Sequence, residues 1–474
     1  MLTPSARAAL GTAVFFLALS ASGPAQRPAT YSPETALDRY VNAADAHFSF
    51  RRIGRLPAPA AVEVSLLELT SQQWLTGKEV DRPIWRHWLI VYRPANVTRD
   101  IGLLFIGGGS NDGKRPSKPN GVLAGLARDT ATITAELRMV PNQPLRFSSD
   151  TTKAARSEDE IIAYTWDRFL RTGDDRWPLR LPMTKAAVRA LDALTAWTAT
   201  PEGGGKSVRR FVLAGGSKRG WTTWTTAAVD PRVVGIVPAV IDLLNIVPSF
   251  THHWQAYGFW APAVEDYERL GIMRWLETPQ FAALMAIEDP WSYRTRLTMP
   301  KLMLNAAGDQ FFLPDSSQFF FDALPGEKYL RYVPNTDHSL DGSDAFETLQ
   351  AFYASLATGT SRPRFSWTVQ RPGRIAVRAV TPPTTVTLWQ ATNPKARDFR
   401  LETLGPKWTM RTLPPAGPNM WVAEIAAPRK GWTGAFVELT FASGGRFPFR
   451  LTTEVVVTPD RLPYPPPPRA QGAP

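Results

Sequence analysis

The sequence predicts an α/β protein, and three observations carry that reading. Apolar runs of strand length alternate with helical patterns from about residue 62 to residue 340, one such run ends in a glycine-rich turn around a serine, and short alternating runs take over near the end. At 474 residues the chain exceeds what one core fills, since single cores stop growing near roughly 250 to 300 residues. Two domains are expected. A composition of 44% hydrophobic against 20% charged residues excludes disorder over most of the length.

The elements follow in chain order. Arg7 precedes an apolar stretch, Ala8 to Leu19, that gives way to Ser20, Ala21, Ser22 and Gly23, the pattern of a cleavable export signal over about residues 1–25. The stretch is shorter than the roughly 20 residues a membrane span requires, and no later segment qualifies as one. The expected location is therefore periplasmic or extracellular, without stable membrane insertion. After the polar stretch Gln26 to Pro33, the predicted strands are Val62–Leu69, Trp85–Tyr92, Ile101–Ile106 and Thr132–Leu137. Helices over about Glu158–Arg171 and Lys185–Trp197 lead through the Gly203–Gly205 turn into a strand at Arg210–Ala214. Buried-type strands at Val233–Ile241 and Lys301–Ala306 bracket an aromatic insertion at about 245–293, placed to act as a cap over the sheet edge. Its rings serve either as the insertion's own small core or as substrate contacts.

Beyond Thr358–Arg364 the texture changes. Seven short runs between Pro and Gly clusters, from Phe365–Val369 to Phe447–Val457, read as an immunoglobulin-like β-sandwich over 365–458, apart from a main domain at 34–358. A proline-rich tail, 459–474, is expected to be extended and disordered.

The absence of cysteine removes disulfides, thiolate metal sites and cysteine nucleophiles together. The net charge of +12 is spread through the chain without a run of five or six, so nucleic acid is not the expected partner. A diffuse positive field is equally compatible with anionic envelope polymers.

The chemistry centres on Phe211-Val212-Leu213-Ala214-Gly215-Gly216-Ser217-Lys218-Arg219-Gly220-Trp221. A strand ending in small residues around a serine and running into a helix is a nucleophile elbow, in which strand and helix approach closely and the hydroxyl projects above the sheet edge. Its second glycine stands at 220, and Arg219 occupies the usual glycine position. The fold expected is thus that of an α/β-hydrolase with a helical cap insertion, in which acid and base follow the nucleophile on loops after later strands. Asp309 ends the run that begins at Lys301, and His338 follows the strand-like Lys328–Val333. With 5 histidines in the chain, elimination helps: His47 precedes the sheet, His87 lies within an early strand, and His252 and His253 belong to the insertion. Ser217, Asp309 and His338 are the predicted triad, with Asp315 a rival acid. Oxyanion donors are expected from the Lys218 amide and the Gly107-Gly108-Gly109 turn, with Gly108 and Gly109 the positions of interest.

Weaker candidates surround these. Arg219 is placed either to recognise a substrate carboxylate or to pair with an acid such as Asp242. Trp221, Trp254, His252 and His253 are possible substrate contacts. No H-E-x-x-H spacing accompanies the two histidines, so no metal and no cofactor are expected.

Gly216-Ser217-Lys218-Arg219-Gly220-Trp221-Thr222-Thr223-Trp224, Ala228-Val229-Asp230-Pro231-Arg232-Val233, Ile241-Asp242-Leu243-Leu244-Asn245, Met299-Pro300-Lys301, Gly308-Asp309-Gln310-Phe311-Phe312-Leu313-Pro314-Asp315 and Val333-Pro334-Asn335-Thr336-Asp337-His338-Ser339-Leu340 resemble the PhoPQ-activated pathogenicity-related protein family. That resemblance implies an exported protein with an α/β-hydrolase core and a link to envelope stress or virulence regulation, but no substrate. The serine-lysine-arginine-glycine elbow is also loosely similar to that of glucuronoyl esterases. Three functions stand: hydrolysis of an ester or amide on a small molecule or polymer, a serine peptidase of the same fold, and a non-catalytic envelope-binding protein.

Overall fold

A computed structural model of the protein describes residues 34–58, 61–370 and 373–468. The expected export signal, and the tail beyond residue 468, lie outside the described residues. The strands are β1 (Ser49–Leu56), β2 (Val62–Gln73), β3 (Ile84–Pro94), β4 (Ile101–Ile106), β5 (Ile133–Leu137), β6 (Arg210–Gly216), β7 (Val233–Ala239), β8 (Lys301–Ala306) and β9 (Lys328–Val333). They continue with β10 (Phe365–Gln370), β11 (Arg374–Ala379), β12 (Thr385–Asn393), β13 (Thr409–Thr412), β14 (Pro415–Gly417), β15 (Met420–Glu424), β16 (Trp432–Phe441), β17 (Phe449–Thr452) and β18 (Val456–Thr458).

Among the described residues a mixed sheet of 14 strands runs β1-β2-β3-β5-β4-β6-β7-β8-β9-β17-β16-β12-β13, with β18 paired to β16. β4 to β9 are mutually parallel. Parallel strands are covered on both faces, which is why β5 and β8 are buried at every position. One face packs on the helices Gly121–Thr130 and Ala345–Thr358 through Leu123, Leu126, Leu349 and Phe352. The other packs on Arg180–Ala199 and Lys218–Val229 through Leu191, Leu194 and Trp224.

Two departures from the sequence reading have plain physical reasons. β1 is an edge strand whose Arg51, Arg52 and Arg55 lie on a largely exposed run, the charged dress that keeps an edge from pairing further. The helix from Arg180 starts five residues before the predicted Lys185, because Pro182 looks like a breaker but sits in the first turn, where a missing N–H costs nothing.

The seven C-terminal runs are strands close to the expected positions, but they do not build a module apart. β17 pairs with β9 through Thr452 and Leu330, so β17, β16, β12 and β13 prolong the central sheet. β10, β11, β15 and β14 form a separate four-stranded sheet over it. Ile375, Val377 and Ala423 of that layer share a core with Val386, Leu388, Val437 and Leu439. The alternating pattern marks the strands, yet it carries no record of which outer strand a layer continues. The tail expectation is also corrected in its first part: the Tyr464 N–H donates to Gln255 O at 3.1 Å, and Arg461 O accepts from Trp432 Nε1 at 3.1 Å. The segment from residue 459 therefore follows the surface at least as far as Tyr464.

Candidate active site

Ser217 closes β6 with φ 57° and ψ −128°, a backbone conformation that side-chain-bearing residues adopt only under constraint. The constraint is visible in its neighbours. A Cβ on Gly215 would lie 2.7 Å from Arg219 O, and one on Gly220 would lie 2.9 Å from both Ala239 O and Gly215 O. The glycine at 220 is thus required by the approach of the helix to β7, and position 219 is free to carry an arginine. The Ser217 N–H donates to Ala239 O at 2.8 Å, which fastens the turn to β7.

Asp309 and His338 meet after β8 and β9. The imidazole Nδ1 lies 2.8 Å from Asp309 Oδ2, while Asp309 Oδ1 accepts the Phe311 N–H at 2.8 Å. Asp309 is buried, and Phe311 and Phe312 lie against the imidazole with ring centroids 4.4 and 5.9 Å away. Those two rings, with Ser217, Lys218, Trp221, Phe250 and Tyr267, also line one narrow cavity of about 30 Å³. His338 Nε2 is buried and has no hydrogen-bond partner among the described residues. Ser71 also meets an imidazole, at 2.9 Å from His87 Nε2, but both residues are buried and neither lines the cavity at Ser217.

Asp315 is occupied elsewhere. Its carboxylate receives Arg397 Nη2 at 2.5 Å and sits 3.1 Å from His252 Nε2. Burial pushes this carboxyl up, but the Arg397 and His252 partners outweigh it and hold it well below the usual carboxylate range. Asp242 does not pair with Arg219 either. It accepts the Tyr332 hydroxyl at 2.6 Å, and burial, reinforced by the nearby charges of Asp309 and Asp315, lifts its pKa well above the ordinary value.

Arg219 instead forms a bidentate pair with Glu158, at 2.8 and 2.6 Å, and donates to Val140 O at 2.6 Å. Lys218 Nζ reaches the same carboxylate at 2.7 Å and Asp159 at 3.0 Å. Burial raises the Glu158 pKa, yet the two cations pull harder and leave it at about 2. Glu158 itself has φ 53° and ψ −125°, nearly the backbone of Ser217. Sequence reasoning missed this residue, because nothing local in Arg156-Ser157-Glu158-Asp159 records a partner some sixty positions away.

The glycine turn after β4 touches the same network. A Cβ on Gly108 would fall 2.6 Å from Arg219 Nη2, and Gly109 has φ 145°. Gly107 and Gly108 accept from Val140 and Met139 at 3.2 and 2.9 Å. Lys218 opens its helix, where the first amides have no intrahelical acceptor.

The insertion supplies helix Ile246–Tyr257. Its His253 accepts the Ala261 N–H at 3.0 Å, and burial, with Arg400 adding to it, lowers its pKa to about 3. Trp254 tilts against Trp260 at 5.2 Å. Trp254 and Trp260 pack into the main core, and neither His252, His253 nor Trp254 lines the cavity at Ser217, whereas Phe250 and Tyr267 of the same insertion do. Trp221 does, with its indole N–H bonded to Glu288 O at 2.6 Å and the Arg180 guanidinium over its ring. Among the described residues no group of three or more His, Asp or Glu is arranged to hold a metal ion.

Comparison with known proteins sets the chain among relatives. It is 36% identical over 459 residues to autocrine proliferation repressor protein A of Dictyostelium discoideum, spanning 91% of this chain and 92% of that protein. Over 156 residues it is 27% identical to acetyl esterase Axe7A of Xylanibacter ruminicola, 32% of this chain and 31% of the esterase. Acetyl xylan esterase 1 from a Thermoanaerobacterium species superposes with a TM-score of 0.45 at 16% identity, covering 68% of this chain and 92% of that one. A profile of PhoPQ-activated pathogenicity-related proteins matches residues 37–400, and with that coverage the chain belongs to the PhoPQ-activated pathogenicity-related protein family.

Proposed function

We propose that the protein is an exported serine hydrolase that cleaves an ester, with Ser217 as nucleophile, His338 as base and Asp309 as the acid that orients it. The observation that carries this reading is the strained serine at the end of β6 sharing one cavity with the two rings that flank the Asp309-held imidazole. With Asp309 accepting from Nδ1–H, the His338 Nε2 lone pair is the basic site. Ser217 Oγ attacks the ester carbonyl as Nε2 takes its proton, and the leaving alkoxide then recovers that proton. Water repeats the sequence to release the acid. The Lys218 amide and the Gly108–Gly109 turn are suited to stabilise the tetrahedral oxyanion.

The narrow cavity, walled by the rings of Trp221, Phe250, Tyr267, Phe311 and Phe312, favours a short apolar acyl group, and the partial likeness to an acetyl esterase agrees with it. A fluorophosphonate probe tests the reading. Stoichiometric labelling that disappears in Ser217→Ala, with turnover of p-nitrophenyl acetate and none of aminoacyl anilides, is the expected outcome. Failure of the folded protein to label favours the second reading, a non-catalytic binding protein, for which the unpartnered Nε2 of His338 is the supporting observation.

A further inference from the structure

The sheet edge that carries the nucleophile continues beyond it. β3 is antiparallel to β5, and β5 and β6 are both parallel to β4, so the start of β3 lies on the same edge as the end of β6. Three strand spacings of about 4.8 Å separate the two, roughly 14 Å along the rim. A pocket of about 400 Å³ opens there, with Arg82, Arg86, Trp88, Asn111 and Met139 in its walls. Small-molecule sites commonly measure about 300 to 1,000 Å³. Met139 joins the pocket to the glycine turn: its N–H donates to Gly108 O at 2.9 Å, and a Cβ on Gly109 would lie 3.2 Å from its side chain.

The wall of this pocket is held rigidly. Opposite Arg86 the register of β2 slips, from Thr70↔Arg86 to Gln72↔Trp85, which makes Ser71 a bulge. Bulges re-aim side chains and gather beside functional sites. Asn142 clamps both backbone groups of Arg86, accepting its N–H and donating to its carbonyl at 2.8 Å each. Arg82 pairs with Asp112 at 2.9 Å and Glu68 with Arg51 at 2.6 Å, which leaves the exposed Arg86 guanidinium without a carboxylate partner among the described residues. Trp88, half-buried, stands two residues along and so on the same face of β3.

We propose that this pocket binds an acidic sugar unit of a polymeric substrate, with Arg86 taking the sugar carboxylate and the Trp88 indole its apolar C–H face. An unoccupied guanidinium fork matches a carboxylate bidentately, and an indole supplies a flat apolar face with a polar edge. The separation from Ser217 suits a chain lying along the rim with its acyl group at the serine. The proposal deepens the ester-hydrolase reading by naming its substrate class, and it is tested through binding alone.

Calorimetric titration of Ser217→Ala protein with a short oligogalacturonide is the experiment, beside a neutral xylo-oligosaccharide of equal length. The acidic ligand is expected to bind at least tenfold more tightly than the neutral one, and Arg86→Gln or Trp88→Ala added to Ser217→Ala is expected to weaken it at least tenfold with the melting temperature kept. No binding, equal binding by the Arg86→Gln form, or tighter binding of a single-stranded oligoribonucleotide overturns the proposal. If binding follows the expected pattern while Ser217 resists fluorophosphonate, the pocket stands and the hydrolase reading falls.

Discussion

Replacing Asp309 by asparagine changes one atom and should nearly abolish turnover, for a reason the hydrogen bonds dictate. Asp309 Oδ1 accepts the Phe311 N–H at 2.8 Å and the Phe312 N–H at 3.4 Å, while Oδ2 faces His338 Nδ1 at 2.8 Å. An asparagine must turn its carbonyl toward the two backbone amides, because its NH₂ group cannot accept from them. Its NH₂ then points at His338 Nδ1 and forces that nitrogen to be the acceptor. The imidazole proton moves to Nε2, which can no longer take the proton of Ser217. Comparable tautomer inversions cost about 10⁴ in turnover, or about 5.4 kcal/mol of barrier at 1.36 kcal/mol per tenfold. The contacts to Phe311 and Phe312 survive, so the folded structure should lose no more than about 2 kcal/mol, within the range of ordinary single substitutions. Turnover of p-nitrophenyl acetate and a thermal melt measure the two quantities. A well-folded Asp309→Asn protein with more than about one-tenth of wild-type turnover would refute the assignment of Asp309, as would a silent Asp309→Asn beside a dead Asp315→Asn.

Gly108→Ala introduces a methyl 2.6 Å from Arg219 Nη2 and is expected to lower kcat/KM for small esters at least tenfold by displacing the guanidinium from Glu158, read from steady-state kinetics beside an unchanged far-ultraviolet dichroism spectrum. Arg397→Met leaves the buried Asp315 carboxylate with His252 and the Gln318 amide but without its guanidinium, and urea denaturation should show a loss of about 3 to 5 kcal/mol, the usual cost of removing one partner of a buried pair. Asp242 has a pKa raised by burial, so its stabilising contribution is complete below the unfolded value near about 3.9 and drains away as pH rises toward the folded one. Asp242→Asn cannot ionise, and its melting temperature relative to wild type should climb from pH 4 to pH 8; a constant difference across that range would show Asp242 to be charged in the fold.

How far the sequence reached differs from element to element. The parallel strands β4 to β9 were legible because burial on both faces demands uninterrupted apolar runs such as Leu302–Leu304. β1 was not, because an edge strand dressed in arginine has neither the alternation nor the hydrophobicity that marks a strand. The expectation of an export signal rests on the pattern around Arg7 and the apolar run after it, outside the described residues.

By itself the sequence determined what short-range sterics and strand order determine: a serine between small residues at the end of an apolar strand, and an aspartate and a histidine each following a later strand. Which partners meet was decided only in the tertiary structure. Asp309 and Asp315 are six residues apart on one loop and look equivalent in the chain, but one faces His338 after the adjacent β9, and the other faces Arg397, brought in beside β12. Arg219 found Glu158 and not Asp242, and the C-terminal strands joined β9 instead of closing on themselves. Hydrogen bonds and ion pairs act over about 3 to 4 Å, and strands packed about 4.8 Å apart bring distant residues within that range. Local pattern says where a strand ends, while the order of strands across the sheet decides which of those ends are neighbours.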